Sequence, residues 1–186
     1  MQEELSVIES CQKGNHKEFG RLYDAYIRRI YDFIYYKTFH KETAEDLVSK
    51  TFLKALENIN RFNPEIGSFS SWVYRIARNT VIDHYRTKKI HADIEDFWDL
   101  SEKEDIDAAL DKKEMVAKLR AHLSKLSSGQ RDVIIMRVWQ EMSYAEIAAI
   151  TGQSEAGCRM MFSRAVERLK IEMPLLLFMT LMCKII

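Results

Sequence analysis

The side chains best suited to chemistry in this chain are bases set among aromatic and small polar residues, in two stretches. The first is Ser68-Phe-Ser-Ser-Trp-Val-Tyr-Arg-Ile-Ala-Arg-Asn-Thr-Val-Ile-Asp-His-Tyr-Arg-Thr-Lys-Lys. Helical spacing puts Arg75, Arg78, Asn79 and Arg86 roughly on one side, opposite an apolar stripe of Phe69, Trp72, Val73, Ile76 and Ala77. Guanidinium groups attract phosphate, an Asn amide hydrogen-bonds a base edge, and exposed rings stack on unpaired bases at about 1–3 kcal/mol each. Phe69 and Trp72 are expected in the core rather than stacking, which leaves the polar face as the informative feature.

The second stretch runs from Met142 to Ala165. A short helix over 144–150 meets the turn Thr151-Gly152-Gln153, and Ser154 can cap a longer helix reaching about Lys170. Two helices joined by a short Gly-containing turn make a helix-turn-helix. Ile147, Ala148, Ile150, Phe162, Ala165 and Leu169 would clamp the pair, with Arg159, Ser163 and Arg164 largely outward. An α-helix fits the DNA major groove, where Arg binds guanine bidentately and discriminates by roughly 1–3 kcal/mol per base. The plainer alternative is a helical hairpin with a solvated basic face. Capping, turn length and basic face together favour DNA.

Nothing comparable points to catalysis. Asp83 and His84 are adjacent, so on a helix they point about 100° apart and form no obvious dyad. The five His and three Cys show no metal-ligand spacing, and no GxxxxGK[ST] phosphate loop is present. The expectation is a binding protein and not an enzyme, with no metal, no cofactor and no small-molecule substrate. Cys11, Cys158 and Cys183 are far apart and odd in number, which suits free thiols in a reducing compartment. With an N-terminus that lacks the pattern of a signal peptide, a cytoplasmic protein is expected.

The elements that position these residues are helical. Only 6 Gly and 2 Pro occur in 186 residues, and apolar residues recur at three- and four-residue spacing. Phe19, Leu22, Tyr23, Tyr26, Ile27, Ile30 and Ile34 make one stripe; Val48, Phe52, Ala55, Leu56 and Ile59 make another. Thr43-Ala-Glu-Asp46 reads as a helix start, Asn63-Pro64-Glu-Ile-Gly67 as a turn, and a third stripe runs to about Arg86. Ser127-Ser-Gly-Gln130 and Ser143-Tyr-Ala-Glu146 are further capping boxes. No strand pattern competes, so the fold class expected is all-α: two small helical domains joined by an acidic linker.

The formal net charge is zero, with 28 Lys+Arg against 28 Asp+Glu. That zero is an average over unlike segments. Residues 1–90 hold 15 Lys+Arg and 12 Asp+Glu, residues 91–114 hold 3 and 10, and residues 115–186 hold 10 and 6. The pattern is basic, acidic, basic, which is compatible with a polyanionic partner at both ends.

Together these features resemble the bacterial RNA polymerase sigma factors, in the small extracytoplasmic-function (ECF, group IV) branch. The likeness covers about residues 5–172. Its tokens are Phe19-Gly-Arg-Leu-Tyr-Asp, Ala44-Glu-Asp-Leu-Val-Ser-Lys-Thr-Phe-Leu-Lys-Ala, Gly67-Ser-Phe-Ser-Ser-Trp-Val-Tyr-Arg-Ile-Ala-Arg-Asn and Leu126-Ser-Ser-Gly-Gln-Arg-Asp-Val, followed by the helix-turn-helix. The resemblance implies residues 1–88 as a sigma region 2-like domain that docks on core polymerase and recognises and melts the −10 element. It implies 89–113 as the linker and 114–172 as a region 4-like domain reading the −35 element. Core docking then falls to Asp46, Leu47, Ser49, Lys50, Phe52 and Leu53, although the family usually has Gln-Glu where this chain has Ser49-Lys50. Asn79 matches the position that captures a flipped −10 base, with Asp83 beside it, Arg75, Arg78 and Arg86 on the same face, and the loop from Phe62 to Ser71 cupping the base. Arg159, Ser163, Arg164 and Arg168 are the implied −35 contacts. Met161 stands where a basic residue is common and Gly157 where Thr is common, so fewer contacts than average are expected.

The implied partners are core RNA polymerase, through its clamp and flap regions, promoter DNA, and an anti-sigma factor. The implied path of the linker is the polymerase's RNA channel, where an acidic segment can occupy basic surface built for phosphates. Residues 173–186 lie outside the resemblance and are apolar at 11 of 14 positions. As a helix they would span about 20 Å against a hydrocarbon core of about 30 Å, so no transmembrane segment is expected. The competing reading is a two-domain helix-turn-helix regulator that does not join polymerase; it leaves the Asp46–Ala55 and Trp72–Asn79 patterns unexplained.

Overall fold

The computed structural model describes residues 2–91 and 110–173, and the chain divides into two compact units between His91 and Ala92. Every regular element among the described residues is helical, as the three- and four-residue apolar spacing requires.

The first unit holds α1 (Gln2–Gln12), a 3₁₀ turn at His16–Glu18, α2 (Phe19–Thr38), α3 (Lys41–Glu57), a second 3₁₀ turn at Ile59–Arg61, and α4 (Phe69–His91). α2 lies on α3, and α3 on α4. The stripe of α2 enters the core through Phe19, Leu22, Tyr26, Ile30 and Ile34, joined by Phe33, while Tyr23 stays partly exposed. From α3 come Leu47, Val48, Phe52 and Ala55, and from α4 Phe69, Val73, Tyr74, Ala77 and Val81. Each large apolar side chain so buried contributes about 1.5–3 kcal/mol relative to exposure. α1 is fastened at both ends. The Tyr26 hydroxyl donates to Glu4 at 2.6 Å, and Gln12 Nε2 donates to the carbonyls of Ile59 (3.0 Å) and Phe62 (2.9 Å). Burial, then the hydrogen bond and charge of Glu4, push the Tyr26 phenol well above its ordinary range.

The start of α3 differs from the sequence expectation. Thr43 does not cap the helix; it is already inside it. His40 is the cap, with Nδ1 accepting from the Thr43 N–H at 3.1 Å and lying 2.9 Å from Thr43 Oγ1. α2 ends one residue earlier, on Phe39 in a left-handed conformation (φ 50°), because burial of its ring holds a residue there that the backbone alone would make glycine. The turn at Asn63 forms as read: its side chain accepts from the Glu65 N–H at 2.9 Å and its carbonyl from the Ile66 N–H at 3.1 Å.

The second unit holds α5 (Leu110–Ser124), α6 (Ser128–Val138), α7 (Tyr144–Thr151) and α8 (Glu155–Glu172). Both capping boxes are present, Ser127 with Gln130 and Ser143 with Glu146. A buried Arg131 closes the α5–α6 corner. Its guanidinium donates to the carbonyls of Leu123 (3.0 Å), Ser124 (3.3 Å) and Leu126 (3.1 Å) at and just past the end of α5; Leu123 also accepts from the Leu126 N–H at 3.1 Å.

Two boundaries move. α4 continues to His91, beyond the expected end near Arg86 and domain end at 88, and α5 opens at Leu110, inside the segment read as linker 89–113. The remainder of that segment, 92–109, lies outside the described residues, as does the apolar tail from 174 onward. Met173 is buried against its own unit. No described helix is long and apolar enough to cross a membrane.

Candidate nucleic-acid interfaces

On the first unit the relevant surface is the side of α4 turned away from the core. Burial of Val73, Ala77 and Val81 directs the opposite side outward, and it carries exposed Arg75, Asn79 and Arg86 with half-buried Arg78 and Asp83. The five residues read as the −10 face therefore share one face. Asn79 opens into a cavity of ≈ 360 Å³ whose walls are Lys54, Asn58, Arg61, Trp72, Ile76 and Thr80. Trp72 is only half-buried. Its ring packs on Phe62 and Phe69, with centroids 5.5 Å away in each case, and that packing fixes it as a flat apolar wall beside the Asn79 amide. Phe69 is in the core as expected; Trp72 has a foot in both roles.

Of the loop from Phe62 to Ser71, Phe62, Phe69 and Ser71 are buried, whereas Ile66 stands 82% exposed. Asp83 is not a wall of this cavity, but it pairs with Lys54, which is. Its carboxylate lies 3.8 Å from Lys54 Nζ and 3.3 Å from Arg86, and Lys54 also donates to Thr80 Oγ1 at 3.3 Å. Asp83 therefore holds two bases in place. Such exposed pairs add little stability, but they set where the positive charge stands.

Lys54, Asn58 and Arg61 were not singled out from the sequence. They come from the end of α3 and the 3₁₀ turn after it, so only tertiary packing brings them to α4. Their signal is the pair of bases just before the Asn63 turn.

The residues expected to dock on polymerase divide by burial. Asp46, Ser49 and Lys50 are exposed, and Leu53 is 56% exposed. Leu47 and Phe52 are buried, at 1% and 4% exposure: helical periodicity turns them into the α2–α3–α4 core beneath the exposed members of the set. Lys50 bonds Asp46 at 2.6 Å one turn away, and Ser49 Oγ returns to the Glu45 carbonyl at 3.0 Å.

On the second unit the helix-turn-helix forms as read. α7 ends on Gly152 in the left-handed region (φ 73°), and Ser154 Oγ accepts from the Gly157 N–H at 3.0 Å to start α8. Ile147, Ile150, Cys158, Ala165 and Leu169 are buried; Ala148 and Phe162 are half-buried. Arg159, Ser163, Arg164 and Arg168 are all exposed. Arg159 is held from below by Tyr144, whose ring centroid is 4.8 Å from its guanidinium carbon, and it reaches Glu155 at 3.5 Å. Arg137 approaches the same ring at 5.1 Å and donates to the Met142 carbonyl at 2.8 Å. Tyr144 escaped the sequence reading because it counted as one residue of a capping box.

No group of His, Cys, Asp and Glu among the described residues is arranged to hold a metal ion. Cys11 and Cys158 are buried free thiols, and burial followed by the nearby Glu18 pushes the Cys11 thiol up.

Comparison with known proteins matches both units. Residues 22–90 match the Sigma-70 region 2 family and residues 117–169 the Sigma-70 region 4 family. The ECF RNA polymerase sigma factor BldN of Streptomyces coelicolor is 34% identical across 91% of this chain, which spans 66% of that protein's length. The RNA polymerase sigma factor YlaC of Bacillus subtilis is also 34% identical, over 82% of this chain and 90% of its own. Among solved structures, the sigma factor RpoE of Bartonella quintana, crystallised with the anti-sigma factor NepR, superposes with a TM-score of 0.66 at 24% identity, covering 83% of this chain and 96% of RpoE.

Proposed function

The chain belongs to the sigma-70 family, in its ECF branch, and we propose that it joins core RNA polymerase and directs initiation at promoters carrying its own −35 and −10 elements. The observation that carries this reading is the α4 surface. A polar face of Arg75, Arg78, Asn79 and Arg86 opens beside a cavity walled by Trp72 on one side and bases on the other. A base turned out of the duplex needs a flat apolar wall, a hydrogen-bonding amide for its edge, and positive charge for its phosphate. Trp72, Asn79 and the Lys54–Arg61 pair supply these in turn. Extrusion costs a few kcal/mol and is least at easily unstacked steps, so the promoter is read through melting as well as contact, and no nucleotide hydrolysis is needed.

The helix-turn-helix reads the −35 element. Arg164 and Arg159 are its base or phosphate contacts, Ser163 a polar neighbour, and Arg168 a backbone contact further along the helix. Exposed Asp46, Ser49, Lys50 and Leu53 form the docking face for the polymerase clamp, and the second unit meets the flap. The acidic segment after His91 lies in the polymerase's RNA path. An anti-sigma factor, such as accompanies the Bartonella quintana neighbour, holds the chain inactive by covering these faces.

The test adds the purified chain to core polymerase and a labelled promoter fragment and follows complexes that survive heparin challenge. Resistant complexes that require both chain and core support the assignment. A fragment bound by the chain alone, with no gain from core, would replace it with a regulator that acts without joining polymerase.

A further inference from the structure

Two adjacent methionines on α8 have opposite surroundings. Met161, at the position where a base is common, is half-buried, and its sulfur lies 3.6 Å from where a Cβ on Gly129 would stand. It packs α8 against the start of α6. Met160 is 51% exposed. At 100° per residue, Arg159, Ser163, Met160 and Arg164 follow one another around a single outward face, opposite the buried Cys158, Ala165 and Leu169. A large flexible apolar side chain therefore stands in the middle of this face, with small exposed Ala156 one turn before it and Glu167 beyond it, in the first half of the helix, where recognition helices meet base edges.

In the major groove a base pair shows hydrogen-bond donors and acceptors, with one apolar feature, the C5-methyl of thymine. The thioether of methionine adapts to such a contact at small packing cost. We propose that Met160 is a specificity-determining residue that reads a thymine C5-methyl within the −35 element, while Arg159 and Arg164 fix the register on either side. The inference rests on the −35 role of the helix-turn-helix and extends it to one chemical group on one base.

The experiment uses holoenzyme assembled from core polymerase and the full chain. A −35 element is selected from a duplex library randomised in that region. Each thymine of the selected element is then replaced singly by deoxyuridine, which removes only the methyl. One position is expected to lose about fourfold in affinity, the worth of one buried methyl-sized group. Met160→Ala should bind the thymine and uracil versions equally, with thermal unfolding unchanged because the site is exposed, and Met160→Leu should keep the difference. No methyl-sensitive position, or a methyl effect that persists in Met160→Ala, would overturn the proposal. If the selection yields no shared −35 element, the −35 reading itself falls and the proposal falls with it.

Discussion

At the scale of single residues, function turns on side chains whose neighbours leave them outward and fixed. Asn79 is exposed above the Trp72 wall, so its amide is free of packing duties. Asn79→Ala should lower promoter opening about tenfold, the cost of one lost buried hydrogen bond to a base, while closed binding stays within twofold, a margin set by the small worth of an exposed polar contact. Fluorescence of 2-aminopurine placed in the −10 element separates the two steps, and equal loss in both would remove the base-capture role. Arg164→Ala should weaken use of a −35-dependent promoter by roughly tenfold, consistent with one bidentate contact, and leave core binding unchanged. Full activity of that variant would displace the register assigned to α8. Asn79 and Arg164 were legible in the sequence because helical spacing alone sets them opposite apolar stripes. Lys54, Arg61 and Tyr144 were not, since only tertiary packing sets each beside residues of another helix. The burial of Leu47 and Phe52 was not legible from the motif either: it runs straight along α3, but a helix turns only some of its residues outward.

At the scale of elements, capping and corner chemistry decide where each helix stops. The Ser127, Ser143 and Ser154 caps and the Gly152 turn follow from local residue types and were readable in advance. The start of α3 was not, because a histidine cap lies outside the usual Ser, Thr, Asp and Asn set. Arg131 was equally hidden: a base between Gln130 and Asp132 in a polar first turn gives no hint that it is buried on three carbonyls. Arg131→Met should destabilise the second unit by about 2–4 kcal/mol, since it removes a donor from three carbonyls at a buried corner; chemical denaturation of the full chain measures this. The α1–α2 contact carries a pH dependence. The folded state holds the Tyr26 proton more tightly than the unfolded chain, whose phenol has a pKa near 10.0. Its stabilisation is thus complete below that value and is lost as pH rises above it. Tyr26→Phe should flatten the alkaline fall in unfolding free energy by up to about 1.4 kcal/mol per pH unit.

At the scale of the whole molecule, the zero net charge divides between basic residues 1–90, acidic residues 91–114 and basic residues 115–186. Each basic block carries one of the two proposed DNA faces, so a zero total is compatible with local attraction for phosphate at both. The central claim is that the two faces work together on polymerase to choose where transcription begins. The most direct measurement is transcription of fragmented genomic DNA from the chain's own source by purified core polymerase, with and without the chain, followed by sequencing of the RNA 5′ ends. The account predicts a new set of starts that requires the chain, shares two sequence elements spaced as −35 and −10, and falls about tenfold with Asn79→Ala. Starts identical to those of core alone, or new starts with no shared upstream elements, would contradict it.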